Sequence, residues 1–170
     1  AGAVIGFAVI ALTYINLLSG LGQSSKAMSS LFSIIEFVIL VATIYFFTKK
    51  RSLRYGNDGF TYGQSMGFII VSMLFTGFIY GILYHLLINV IQPGIGDRIF
   101  DIAVQSNPLV AGSEEMIDMM RAMIKSAVFW LFVGIFSMII YGGLLGLIIS
   151  AFTKRNPDIF ADTNKSDEQN

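Results

Sequence analysis

The chain has 170 residues, with no cysteine, one histidine and three prolines. Without cysteine it can form no disulfide, thiolate nucleophile or Cys-based metal site, and its redox compartment leaves no trace in the sequence. A lone histidine excludes every multi-histidine zinc motif. Charge is scarce as well: 13% of the residues are charged, against about 25% in an ordinary soluble domain. The formal net charge is zero, so no overall basic field points to nucleic acid as a partner. No phosphate loop, nucleophile elbow or dinucleotide fingerprint is present. Gly94-Ile95-Gly96 lacks the third glycine and the preceding strand, and reads as a turn. Paired aspartates, a Ser–His dyad or a metal motif for intramembrane proteolysis are also missing from the apolar segments. These absences predict no catalytic residues, no metal and no cofactor.

What the chain has is hydrocarbon. Hydrophobic residues make up 55%, the mean hydropathy is +0.71, and the charges sit almost entirely between four apolar stretches. Such segments face lipid. The expected spans are about 1–21, 27–48, 63–91 and 126–152, each near or above the ~20 residues a helix needs to cross the hydrocarbon. The fold class expected is therefore all-α, an integral membrane four-helix bundle. Gly22 to Lys26 reads as a turn, Pro93-Gly94 as the end of span three, and 156–170 as a disordered tail. Because the chain opens on Ala1 inside an apolar run, its natural first residues are expected to be missing, and no cleaved signal peptide is read there.

Orientation follows from basic residues in short loops. Lys49, Lys50, Arg51 and Arg54 lie between spans two and three, and Lys154, Arg155 and Lys165 follow span four. The other side carries Lys26, Arg98, Arg121 and Lys125, the last three diluted by five acids. Seven against four places both termini in the cytoplasm. The segment 92–125 is then a short helical periplasmic element. Within it Asp97–Gln105 reads as a helix with Ile99, Ala103 and Phe100 on its apolar side, broken at Asn107-Pro108. Ser113 is a plausible N-cap for a second helix, with Glu114, Glu115 and Asp118 at its positive end. Met116, Met119, Met120 and Met123 form a soft apolar stripe on it, suited to packing or to a partner. That helix is expected to run on into span four.

From Thr48 onward the pattern becomes particular. An apolar span ends in a basic cluster, a Gly56-Asn57-Asp58-Gly59 turn follows, and Phe60-Thr61-Tyr62-Gly63-Gln64-Ser65-Met66-Gly67 leads into the next span. A Tyr-rich third span, an acidic Met-rich segment and a Gly-containing last span complete it. This order resembles the domain-of-unknown-function 4199 family, small four-span inner-membrane proteins of Bacteroidota. Ala1-Gly2-Ala3-Val4-Ile5-Gly6 is similar to that family's first span without its basic start. The resemblance implies a bacterial inner membrane and carries no catalytic set.

Four groups of residues are candidates for function. Glu36 lies near the middle of span two with at least nine uncharged residues on each side. A charge at the bilayer centre costs about 2.5–3.5 kcal/mol on insertion scales, so Glu36 must face the bundle, accept hydrogen bonds or be protonated. It reads as a packing residue, a proton or cation site, or a contact to a partner. His85, with Tyr84, Tyr80 and Asn89 at helical spacings, lies toward the outer end of span three, level with Thr13, Tyr14, Asn16 and Ser33. Together they could line a small polar pocket, or serve as interfacial anchors. A depth difference of about 10 Å, at ~1.5 Å rise per residue, separates His85 from Glu36.

Gly77/Gly81 in span three and Gly142/Gly146 in span four form G-x-x-x-G, as do Gly63/Gly67 and Gly2/Gly6. Small residues four apart let helix backbones approach, and two of these stripes are expected to meet within the chain. Trp130, Tyr45-Phe46-Phe47 and Phe60/Tyr62 read as interfacial belts. Lys49, Lys50, Arg51 and Arg54 set topology and could touch anionic headgroups.

The leading functional expectation is a non-catalytic accessory or scaffolding subunit of a larger membrane complex. Its partners would be lipids and other membrane subunits or further copies of itself. The alternative is a small proton- or cation-linked transporter centred on Glu36, though no inverted repeat or Gly/Pro-broken pair of spans is evident.

Overall fold

A computed structural model describes residues 1–19, 26–107 and 112–157. Its regular structure is helical: α1 Gly2–Ser19, α2 Lys26–Leu53, α3 Tyr62–Leu86, α4 Pro93–Gln105, α5 Glu114–Lys125 and α6 Ala127–Thr153. Among the described residues there is no strand, only one antiparallel bridge between Phe60 and Arg155. The expected turn at 22–26 lies outside the described residues up to position 25, as do Pro108 and the tail from 158 onward.

Among the described residues three segments are long and apolar enough to cross a membrane: Ala27–Leu53, Tyr62–Ile91 and Ala127–Thr153. The fourth expected span, α1, is shorter, with an apolar stretch of Gly2–Leu18. Large side chains coat the outside. Leu31, Phe46, Phe75, Phe132, Phe136 and Leu144 are 54–62% exposed, an apolar surface far beyond what water tolerates on a monomer. This is a membrane protein.

The helices run alternately up and down. Along α3 and α6, Gly81 lies beside Trp130, Gly77 beside Gly134, Met73 beside Gly142 and Met66 beside Gly146, which makes the pair antiparallel. On the other flank of α3, Gly2 packs on Ser72 and Phe75 and Gly6 on Thr76 and Ile79, so α1 runs parallel to α3. Thr76 Oγ1 donates to Gly2 O at 3.0 Å, and Tyr14 donates to Leu83 O at 2.6 Å. The core formed at this junction includes Ile5, Val9, Ile44, Ile69, Met73 and Met138.

Local chemistry sets the boundaries. Thr61 caps α3 by accepting from Gln64 N–H, and the Gln64 side chain accepts from Thr61 N–H, a reciprocal capping box. At its far end α3 widens into a π-turn, Leu87–Ile91. Pro93, expected to end span three, instead opens α4, where a missing N–H is harmless. Span two is longer than expected: α2 continues through Lys49–Arg51 to Leu53, because Lys and Arg are good helix formers and favour the negative end of the dipole. Ser113 caps α5 as expected. The expected continuation of α5 into span four does not occur. Ser126 adopts extended backbone (φ −78°, ψ 122°) and accepts from Phe129 N–H, ending α5 and starting α6 afresh. Phe60, expected at the interface, is buried against Tyr55 with ring centroids 4.8 Å apart.

Candidate functional site

The site is built by α2. Its buried residues are Leu40, Ile44, Thr48 and Ser52, every fourth position and hence one helix face. Glu36 lies on that same face one turn earlier. Leu31, Ile34 and Ile35 before it and Phe37 and Val38 after it are all exposed. So α2 is fully buried on this face only from Leu40 onward, and is half-buried on it at Met28, Phe32 and Glu36. The packing of the buried part is polar as well as apolar. Ser52 Oγ donates to Thr153 O at 2.8 Å, and the Ser65 and Thr153 hydroxyls pair at 2.8 Å.

At Glu36 a cavity of about 290 Å³ opens, lined from all four long helices. Thr13 comes from α1, Ser33 and Glu36 from α2, Tyr80 from α3, and Met138 and Tyr141 from α6. Glu36 is half-buried. Thr13 Oγ1 donates to Glu36 Oε1 at 3.3 Å and also lies 3.1 Å from Val9 O. No basic residue is among the described residues that line this cavity.

The expected polar pocket is therefore two separate places. Glu36, Tyr80, Thr13 and Ser33 share the cavity just described, whereas His85 does not reach it. Tyr84 lines neither cavity and is stacked on Tyr80 with centroids 5.5 Å apart and 5.0 Å from the Trp130 ring. His85 and Asn89 instead line a larger cavity of about 470 Å³ at the end of the bundle, with Asp97, Phe100, Arg121 and Lys125. Asn89 Nδ2 faces His85 Nδ1 at 3.1 Å and the Ile124 carbonyl at 3.3 Å.

At the opposite end Lys50, Arg51 and Arg54 line a cavity of about 280 Å³ with Phe47 and Phe68, and Lys49 sits half-buried beside them. Arg51 lies over the Tyr55 and Phe68 rings, 5.7 and 6.0 Å from their centroids.

Glycines make the closest approach in the bundle. A Cβ at Gly77 would meet Gly134 O at 2.5 Å, and one at Gly81 would meet Trp130 O at 2.5 Å. The partner of the Gly77/Gly81 stripe is thus Gly134, not the Gly142/Gly146 pair. Those two glycines instead accommodate the Met73 and Met66 side chains. Around Gly63 and Gly67 there is open space.

No group of three or more potential metal ligands occurs among the described residues. Residues 1–155 match the family model described as "Protein of unknown function (DUF4199)". The chain belongs to this family. The DUF4199 match takes in all six helices and closes at Arg155, the residue bridged to Phe60. No curated protein and no solved structure matches the chain.

Residue patterns alone missed three participants. Gly134 has no second glycine four residues away. The Leu40–Ile44–Thr48–Ser52 face is hidden in a helix that is apolar nearly all round. Thr153 looked like the end of a span rather than a partner for α2 and α3. For the α2 face a signal existed: counting in fours from Glu36 leads to both hydroxyl residues.

Proposed function

We propose that this DUF4199 protein crosses a bacterial inner membrane four times with both termini cytoplasmic, and is a non-catalytic accessory or scaffolding subunit of a membrane complex. The observation that carries the reading is the cleft between α2 and α6 at Glu36. A half-buried carboxylate facing an opening in the hydrocarbon is costly, and a transmembrane helix of a partner seated there would cover it and supply a donor. The exposed face of α2 beside the cleft offers that helix Ile34, Phe37 and Val38. A fourth crossing is supported by α1, whose 18 residues span about 27 Å at ~1.5 Å per residue and which keeps the alternation of directions. Orientation is supported by Lys49, Lys50, Arg51 and Arg54 at one end of the bundle.

Photo-crosslinkers placed at Ile34 and Val38 in the native membrane should capture one membrane protein, or a second copy, at stoichiometric yield. A crosslinker at Leu144 should capture none. A lone monomer in native-detergent purification, with no crosslink from either α2 position, would overturn the proposal.

One observation favours a second reading, a small proton- or cation-linked transporter centred on Glu36: the carboxylate lines a cavity with no cationic side chain among its described lining residues. Proteoliposomes should then leak protons or alkali cations with the native chain and lose the leak with Glu36→Gln. Equal fluxes would exclude it.

A further inference from the structure

We propose that the end of the bundle away from Lys49–Arg54 binds an anionic phospholipid, its phosphate beside Arg121 and Lys125 and one acyl chain in the methionine-lined groove. The helix α5 has two unlike edges. Arg121 and Lys125, four residues apart, border the 470 Å³ cavity that His85 and Asn89 also line. Met116, Met119, Met120 and Met123 border a second hollow of about 340 Å³, completed by α4 and by Phe129 and Trp130 of α6. Ile124 lines both, so the cationic and the apolar hollow adjoin across one side chain.

The cationic hollow suits a phosphate. Neither Arg121 nor Lys125 has a carboxylate within ion-pair distance among the described residues, and Asp97 is the one acid in the lining. Arg121 is held over the Phe100 ring, 4.7 Å from its centroid, a contact that leaves its planar donor fork available. Asn89 presents its Nδ2 to two carbonyls, those of His85 and Ile124, which can only accept. The same NH₂ faces His85 Nδ1.

The second hollow suits hydrocarbon. The only polar side-chain atom in its lining residues is Trp130 Nε1, which already donates to Ile124 O at 2.7 Å. A bound peptide would find no partner there for its backbone groups, which cannot be left bare. Methionine side chains adapt to a flexible chain. The hollow also meets the lipid-facing surface of α6, where Phe132 and Phe136 stand exposed, so an acyl chain reaches it from the leaflet.

The full-length chain in detergent is titrated with dioleoyl phosphatidylglycerol, with dioleoyl phosphatidylcholine and with inorganic phosphate, bound molecules being counted by native mass spectrometry. Phosphatidylglycerol should bind at one site, at least tenfold more tightly than phosphatidylcholine. Arg121→Gln with Lys125→Gln should abolish that preference, and Met119→Asn with Met123→Asn should weaken both lipids. Lys125→Gln alone serves where a double variant fails to fold, and should lower the preference at least threefold. Unchanged preference in a folded charge variant would overturn the proposal. So would inorganic phosphate that displaces the lipid at equal concentration, which would mark a free-anion site. Dimerisation through the methionine edge in place of lipid uptake would also overturn it.

Discussion

The Thr13 hydroxyl lies 3.3 Å from Glu36 Oε1 and 3.1 Å from Val9 O, so a single proton serves acceptors on two helices. An amide at position 36 would resolve the conflict by donating to Thr13 Oγ1 and leaving the hydroxyl proton to Val9. An amide also brings no charge into the hydrocarbon. Glu36→Gln should therefore raise stability by about 1 kcal/mol, the net worth of one hydrogen bond. Glu36→Lys should lower it by more than that, since a cation there meets no acid among the residues lining the cavity. Thermal unfolding followed by circular dichroism in one detergent decides. A Gln variant melting well below the native chain would show that the carboxylate itself is needed for assembly.

Contact between α3 and α6 is closest at Gly77 and Gly134, where a Cβ on either would lie 2.5 Å from the other's carbonyl oxygen. Both obstacles are backbone and cannot rotate aside. Gly77→Ala and Gly134→Ala should each destabilise by about 1–3 kcal/mol, the usual penalty of overpacking. Gly67→Ala meets open space and should gain up to about 1 kcal/mol from helix propensity. The three melting temperatures, measured side by side, test whether close approach or mere glycine content holds the pair. A Gly67→Ala loss matching the other two would refute the packing argument.

Thr153 joins three helices. Its hydroxyl pairs with Ser65 Oγ and bonds Ile149 O at 2.9 Å, while its carbonyl accepts from Ser52. Thr153→Val leaves the buried Ser65 hydroxyl stranded and should cost about 1–3 kcal/mol. Adding Ser65→Ala should recover part of that loss. The nearby Ser150 Oγ is buried without a partner among the described residues, so Ser150→Ala should be neutral or stabilising. A double-mutant cycle on Ser65 and Thr153 that shows no coupling would sink the account.

Much of this architecture could be read from the residues, because spans and turns depend on local quantities. Apolar length marked α2, α3 and α6, and Ser113 announced the start of α5. The sequence misled where tertiary contacts decide. A helix apolar on every side, such as α6, gives no clue to which face meets a neighbour, so Gly134 was passed over in favour of Gly142 and Gly146. Depth along a span could separate Glu36 from His85, but it could not reveal which neighbours each would meet in its own cavity. Ser126 stands at the start of the expected span four without reading as a break, since a serine between an amphipathic helix and an apolar one reads as continuation until its extended backbone is seen.

Topology is open to a direct measurement, because the chain has no cysteine and any introduced thiol is unique. Asp58 lies in the turn between α2 and α3, and Glu115 in the first turn of α5; both are exposed. They stand at opposite ends of α3, which exceeds the thickness of a bilayer core (25 residues, about 37 Å at ~1.5 Å per residue). The basic cluster beside Asp58 should hold that end in the cytoplasm against translocation. A membrane-impermeant maleimide applied to intact spheroplasts should therefore label Glu115→Cys and spare Asp58→Cys, and should label both after lysis. Labelling of Asp58→Cys alone in intact cells would invert the orientation. Labelling of both would mean that α3 does not cross the membrane, and the reading of Glu36 as an intramembrane residue would fall with it.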